Sequence, residues 1–289
     1  MGLSQISIES VEVRLAQSEE EIRAAQHLRY KVFYEEYSAT PTEDMAAQRR
    51  DFDSFDDVTD HLVAIDHSKS DIQEKIVGTY RLLRQDIAQK HGEFYTSSEY
   101  NISSLVNCGE PLLELGRSCV LADYRTRPIL QKLWEAIVDY TFRHDLGLLF
   151  GCASLHGTDI NALALQLSYL HHFHTAPDKF KAVAVKNRYI DMNIIPKSDI
   201  EIKQAFKELP PLVKGYLRAG AYIGEGAVID HQFNTTDVCI ILPVHQIADR
   251  YKNHYTRKIN KAADDKKELE RKTEEDAEQA ETVLARGSI

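Results

Sequence analysis

Leu112-Leu113-Glu114-Leu115-Gly116-Arg117-Ser118-Cys119-Val120 is an almost continuous apolar run, broken by one carboxylate, one guanidinium and one glycine. That content predicts a buried strand over residues 112–121. Strand periodicity would put Glu114 and Arg117 on opposite faces. Gly116 between them is where a β-bulge would fall, and one extra residue turns both side chains to the same side. A buried carboxylate and guanidinium are costly unless paired or used. They are either a structural Glu–Arg pair or a carboxylate base above a kinked strand. The second reading is favoured because the strand runs straight into a helix start.

That start is Tyr124-Arg125-Thr126-Arg127-Pro128-Ile129-Leu130. Proline is tolerated at the first helical position, and Leu130, Leu133, Trp134, Ile137 and Val138 then supply a broad inward face. Gly147 stops the helix and 148–153 reads as the next strand. A helix N-terminus presents unpaired N–H groups and positive dipole, which suits a phosphate, and Arg125 and Arg127 add charge beside it.

Upstream, Ser18 and Glu21 form a capping box ahead of Ile22, Ala25, Leu28 and Val32, predicting a helix over 19–34. After the Thr40-Pro41 breaker comes Asp51-Phe52-Asp53-Ser54-Phe55-Asp56-Asp57. Charge runs are most often solvated loops, but a cationic small substrate would reverse that preference. Arg29 and Arg81 could fix these carboxylates or hold a substrate carboxylate. Strands are expected at 61–65 and 76–83. Downstream follow a helix from Asp159 to about 171, a strand at 182–190, a short helix at 199–207, a strand at 238–242 and a helix at 245–254. Residues 10–255 read as one α/β domain. Residues 256–289 are Lys/Glu-rich with few apolar positions, a helical or disordered tail.

Composition narrows the function. The 289 residues are 43% hydrophobic and 28% charged, ordinary for a globular enzyme. No run approaches the ~18–20 apolar residues of a membrane span. The first five residues carry no basic or long apolar signal, so a cytoplasmic location is expected. A net charge of −10 disfavours general nucleic-acid binding. The four cysteines form no CxxC pair, and His171-His172-Phe173-His174 lacks ligand spacing, so no metal is expected. No G-x-S-x-G elbow is present.

Four stretches in order, Leu28–Phe33, Asp53–Asp56 with Asp60–Ala64, Val77–Leu83 and Glu114–Val120, resemble the GNAT acyltransferase family. The likeness is to its branch that uses acyl-carrier protein: the acyl-homoserine-lactone synthases and the ornithine-lipid-forming N-acyltransferases, also labelled hemolysin-like. Pro210–Ala221 and Asp230–Phe233 look like the ornithine enzymes. The resemblance spans about residues 10–255. It implies a mixed, mostly antiparallel central sheet with splayed middle strands, flanked by helices. One departure bears on the donor. The pyrophosphate loop usual in acetyl-CoA-dependent relatives, Arg/Gln-x-x-Gly-x-Gly/Ala, is here Arg125-x-x-Pro128-x-Leu130. Both glycines are gone and Pro128 removes a donor. That disfavours coenzyme A and suits the single phosphodiester of an acyl-4'-phosphopantetheine carried on acyl-carrier protein.

The resemblance implies lipid biosynthesis: a 3-hydroxyacyl group moves from acyl-carrier protein to the α-amine of ornithine, giving lyso-ornithine lipid, with no cofactor of the enzyme's own. Glu114 is expected as base, with its pKa raised by its apolar strand. Arg117, Arg81 or Arg29 would hold the substrate carboxylate, and Asp51, Asp53 or Asp56 its second amine. Backbone N–H groups of Ser118, Cys119 and Val120 would stabilise the oxyanion beside the phosphopantetheine, whose phosphate Arg125 and Arg127 would meet. Tyr169 would protonate the leaving thiolate. Peripheral contact with the inner membrane is expected of an enzyme with a lipid product. A lactone-type signal synthase acting on S-adenosylmethionine, and a non-catalytic carrier- or lipid-binding module, are the alternatives.

Overall fold

The computed structural model describes residues 10–247, and residues 10–244 form one compact unit. The expected 256–289 tail, and the 245–254 helix beyond residue 247, lie outside the described residues. Eleven strands are described: β1 (Val11–Leu15), β2 (Asp60–Asp66), β3 (Ile76–Arg84), β4 (Tyr100–Asn101), β5 (Leu112–Val120), β6 (Leu148–His156), β7 (Val183–Ala184), β8 (Tyr189–Ile190), β9 (Tyr222–Ile223), β10 (Ala227–Asp230) and β11 (Thr235–Pro243). Nine of them make one sheet in the order β1-β2-β3-β5-β6-β11-β10-β8, with β9 also on β11; β4 and β7 pair separately.

Every ladder in the large sheet is antiparallel except β5 with β6. Parallel neighbours need a crossover, and the helix Arg127–Arg143 supplies it with Pro128 in its first turn. The β5–β6 ladder is short: Leu112, Leu113 and Glu114 pair with Leu148, Leu149 and Phe150, and then pairing stops. Beyond Glu114 the middle strands part, as the resemblance implied. A mixed, mostly antiparallel sheet flanked by helices is thus present.

The expected bulge on β5 is present, one residue later than read. Thr79 pairs with Cys119 and Arg81 with Gly116, so Tyr80 faces the two residues Arg117 and Ser118. Arg117 takes φ +47°, a left-handed conformation unusual for a side chain of this size. Glu114 and Arg117 end up lining one cavity.

Ser18 accepts from the Glu21 N–H, capping the helix Glu19–Tyr30. Ala24, Ala25, Leu28 and Val32 pack on Val63, Ile65, Ile76 and Cys119 of the sheet. The helix continues as a π-helical segment, Lys31–Glu36, a widening often found beside functional sites. The 182–190 strand is a difference: Val183–Ala184 and Tyr189–Ile190 are separate short strands divided by the polar turn at Lys186, Asn187 and Arg188.

Candidate active site

Where β5 and β6 part, a cavity of about 160 Å³ opens on the face that carries the Glu19–Tyr30 helix. That is comparable to a cavity that admits a benzene ring. Glu114 and Arg117 line one side. Cys152, Ser154 and His156 of β6 line the other, with Thr235 and Asp237 of β11. Phe33, Tyr37, Phe55, Tyr95 and Phe233 complete an aromatic wall. Gly151 permits the narrow root of the splay. A Cβ there would stand 2.2 Å from the Leu115 carbonyl oxygen, on a residue with φ +157°.

Glu114 is buried and oriented by the backbone. The Tyr95 N–H donates to Oε2 at 2.9 Å and the Thr96 N–H to Oε1 at 2.6 Å. Burial raises its pKa against the opposing pull of these bonds and of Arg81. The Thr96 hydroxyl also bonds this carboxylate, which leaves it one acceptor site for a proton or a water. Glu114 and Arg117 make no ion pair with each other among the described residues; the structural-pair alternative does not hold.

Arg117 belongs instead to a closed ring of six alternating charges. Arg29 Nε lies 2.7 Å from Asp51 Oδ2, which lies 3.1 Å from Arg117 Nε. Arg117 Nη2 is 3.1 Å from Asp53 Oδ2, and Asp53 Oδ1 is 2.6 Å from Arg81 Nη1. Arg81 Nη1 then reaches Asp56 Oδ2 at 3.5 Å, and Asp56 returns to Arg29 through two bonds of 2.7 and 2.8 Å. Burial works against the Asp56 charge, yet hydrogen bonding and charge from Arg29, with Arg81, hold it well below the usual carboxylate range. Asp51 is likewise lowered, by Arg117 and Arg29 against its burial. The Arg117 guanidinium also lies 4.9 Å from the ring centroids of both Tyr95 and Phe233. Its side chain is 11% exposed, against 1% for Arg29 and 4% for Arg81. Of the three arginines it is the most open, and Arg81 also reaches the cavity wall.

This ring corrects one expectation. Asp51, Asp53 and Asp56 were expected to read a substrate amine, but arginines already occupy all three. Helix, β3 and β5 each bring one guanidinium onto the loop, and the charges cancel there. Arg29 is sealed behind the ring, so it organises the acids and does not meet a ligand.

The remaining expected residues divide. Ser118, Cys119 and Val120 lie on the strand edge that β6 has left, but the Cys119 thiol is buried against the Glu19–Tyr30 helix and pushed up to about 12, chiefly by burial. Arg125 is bound to Glu36 and to the Val120 carbonyl at 2.8 Å. Arg127 is exposed at the start of its helix. Tyr169 is not brought to the cavity. It sits in the helix Ala164–His174, 3.0 Å from His174 Nε2 and against Phe173 and Phe206, so the expected thiolate acid is misplaced. The sequence reading missed Tyr95, Thr96, Cys152, Ser154, Phe233 and Asp237. Of these only Asp237, a carboxylate at the head of an apolar strand, carried a readable signal.

On the opposite face of the splay, Leu115, Leu149, Gly151, Ala153, Tyr216 and Ile240 line a narrow apolar crevice. Among the described residues, no helix is long and apolar enough to cross a membrane.

Residues 28–135 match the acetyltransferase (GNAT) domain family. An L-ornithine N(alpha)-acyltransferase of Agrobacterium fabrum is 45% identical over 251 residues, covering 86% of each chain. One of Brucella abortus is 46% identical over 258 residues, 88% of this chain and 92% of that one. Among solved structures, FeeM, an N-acyl amino acid synthase from uncultured soil microbes, aligns with a TM-score of 0.44 at 12% identity, over 83% of this chain and 93% of that one.

Proposed function

The chain belongs to the L-ornithine N(alpha)-acyltransferase family, and on that premise we propose that it moves a 3-hydroxyacyl group from acyl-carrier protein to the α-amine of L-ornithine. The observation that carries this reading is the cavity at the splay, where a backbone-oriented carboxylate and an accessible arginine face the same space. Arg117 takes the amino-acid carboxylate. Glu114, directly or through one water, takes the proton that the α-amine must lose as it attacks the thioester carbonyl. The N–C bond forms, the oxyanion is met by N–H groups on the β5 edge left unladdered by β6, and the C–S bond then breaks to release the phosphopantetheine thiolate.

The donor enters from the other side of the gap, where the apolar crevice of about 10 Å³ must widen to take an acyl chain and Arg127 stands at the helix start to meet a phosphodiester. The altered pyrophosphate loop supports a carrier-protein donor over coenzyme A, because Pro128 offers no N–H. The enzyme works at the cytoplasmic face of the inner membrane. Phe173, Ile194 and Ile202 are exposed, and Lys197 Nζ lies 5.0 Å from the Phe173 ring, a mixture suited to anionic lipid.

Glu114→Gln tests the assignment of the base. Purified variant, given 3-hydroxyacyl carrier protein and ornithine, should keep its fold and lose about 10²–10⁴ in turnover. Turnover within a few-fold of wild type would remove Glu114 from the mechanism.

A further inference from the structure

The cavity has a second acidic group, separate from the neutral ring. Glu99 follows the turn Tyr95–Ser98, Asp230 ends β10 and Asp237 lies in β11. One carboxylate oxygen of each lies within 4.8 Å of the others, and all three residues are buried, Glu99 to 1% exposure. Asp230 and Asp237 line the cavity that Glu114 and Arg117 line.

These charges are not matched. Among the described residues one ion pair reaches the trio, from Arg188 Nη2 to Glu99 Oε1 at 3.3 Å. Asp230 Oδ1 accepts from the N–H groups of Gln232 and Phe233, and Asp237 accepts from the Thr235 and Ser154 hydroxyls. Oε2 of Glu99 is buried with no hydrogen-bond partner. The Cys152 thiol beside it is at most a weak donor. Burial and the neighbouring carboxylates push Glu99 and Asp237 above the usual carboxylate range. A buried acceptor of this kind costs free energy until a donor meets it. A small cation that carries several donors would meet all three carboxylates at once.

A primary ammonium has three donors and one charge. We propose that Glu99, Asp230 and Asp237 form the subsite for the side-chain ammonium of the amino-acid acceptor. The inference rests on the ornithine reading and deepens it. With Asp51, Asp53 and Asp56 consumed by the ring, the trio is what separates ornithine from a neutral amino acid of equal length. The carboxylate then lies at Arg117, the reacting amine at Glu114 and the distal ammonium against the trio.

The test compares L-ornithine with L-norvaline, which has the same carbon skeleton and no distal amine. Wild type, Asp237→Asn, Asp230→Asn and Glu99→Gln are first checked for folding by thermal melts. Both amino acids are then followed by turnover and by isothermal titration. The ratio of kcat/KM for ornithine over norvaline should fall about tenfold or more in each folded variant, through KM. Asp230→Asn keeps the turn acceptor, so it remains informative if Asp237→Asn does not fold. An unchanged ratio in folded variants overturns the subsite, as does equal binding of both amino acids by wild type. A preference lost on chelation and restored by a divalent cation also overturns it, by putting a metal there. If wild type binds ornithine selectively but transfers no acyl group, the acyl-transfer reading falls and the subsite stands.

Discussion

Arg29→Met removes one member of the charge ring and leaves its partners buried. Arg29 meets Asp56 through two bonds of 2.7 and 2.8 Å, Asp51 through an ion pair of 2.7 Å, and the Asp51 carbonyl at 2.5 Å. The side chain is 1% exposed, so water cannot replace these contacts. Breaking a buried ion pair from one side costs about 3–5 kcal/mol, because a charge is left uncompensated. Domain stabilities are only about 5–15 kcal/mol, so this is a large share. Methionine fills most of the volume, which confines the loss to electrostatics.

Urea unfolding followed by circular dichroism at pH 7 should show that loss with an unchanged slope. The pH dependence adds a sign. In wild type the folded pKa of Asp56 is depressed, so its contribution is complete above the unfolded carboxylate value and fades only as pH falls through the folded one. Without Arg29, Asp51 and Asp56 share an unmatched negative charge and bind protons more readily. The gap between variant and wild type should therefore narrow from pH 7 towards about pH 4–5. A loss below about 1 kcal/mol at pH 7, or a gap that widens on acidification, would refute a closed buried ring.

Further outcomes follow from the same geometry. Gly151→Ala forces a methyl group onto the Leu115 carbonyl, 2.2 Å away, and should destabilise the fold by about 2 kcal/mol or more and depress turnover, read by melts and kinetics. Tyr169→Phe should leave turnover within about twofold of wild type, since the phenol lies outside the cavity; a large loss would return it to the reacting centre. Glu114 has a raised pKa, so kcat should fall on acidification at a pH above the ordinary glutamate value of about 4.3. An acid limb at that ordinary value would contradict the buried base. Sedimentation with anionic vesicles should retain the protein at low salt and release it at high salt, and Ile202→Glu should weaken retention.

The sequence carried most of the sheet's centre and little of the site's wiring. Leu112–Val120, the Pro128 helix and the strand after it were legible because buried parallel strands are continuously apolar and helix starts have local signatures. The bulge was legible in kind but not in position. Gly116 marks it in sequence, while the ring pins Arg117 into the left-handed conformation. β1 escaped notice because Val11–Leu15 is short and half-polar, and its identity as a strand comes from its ladder with β2. The acidic run showed its charge but not its partners. Arg29, Arg81 and Arg117 arrive from three elements, and only the tertiary structure brings them together. Glu99, Asp230 and Asp237 were further still from local reading, being separated by up to 138 residues in the chain.

Mass spectrometry of the product formed from purified protein, a 3-hydroxyacyl carrier protein and ornithine labelled with ¹⁵N at the α position tests the central claim most directly. The account predicts one acylated ornithine, fragmenting with the acyl group on the labelled nitrogen, and a matching amount of free carrier thiol. Acylation of the distal nitrogen, or carrier protein left fully charged while ornithine stays unmodified, would contradict it.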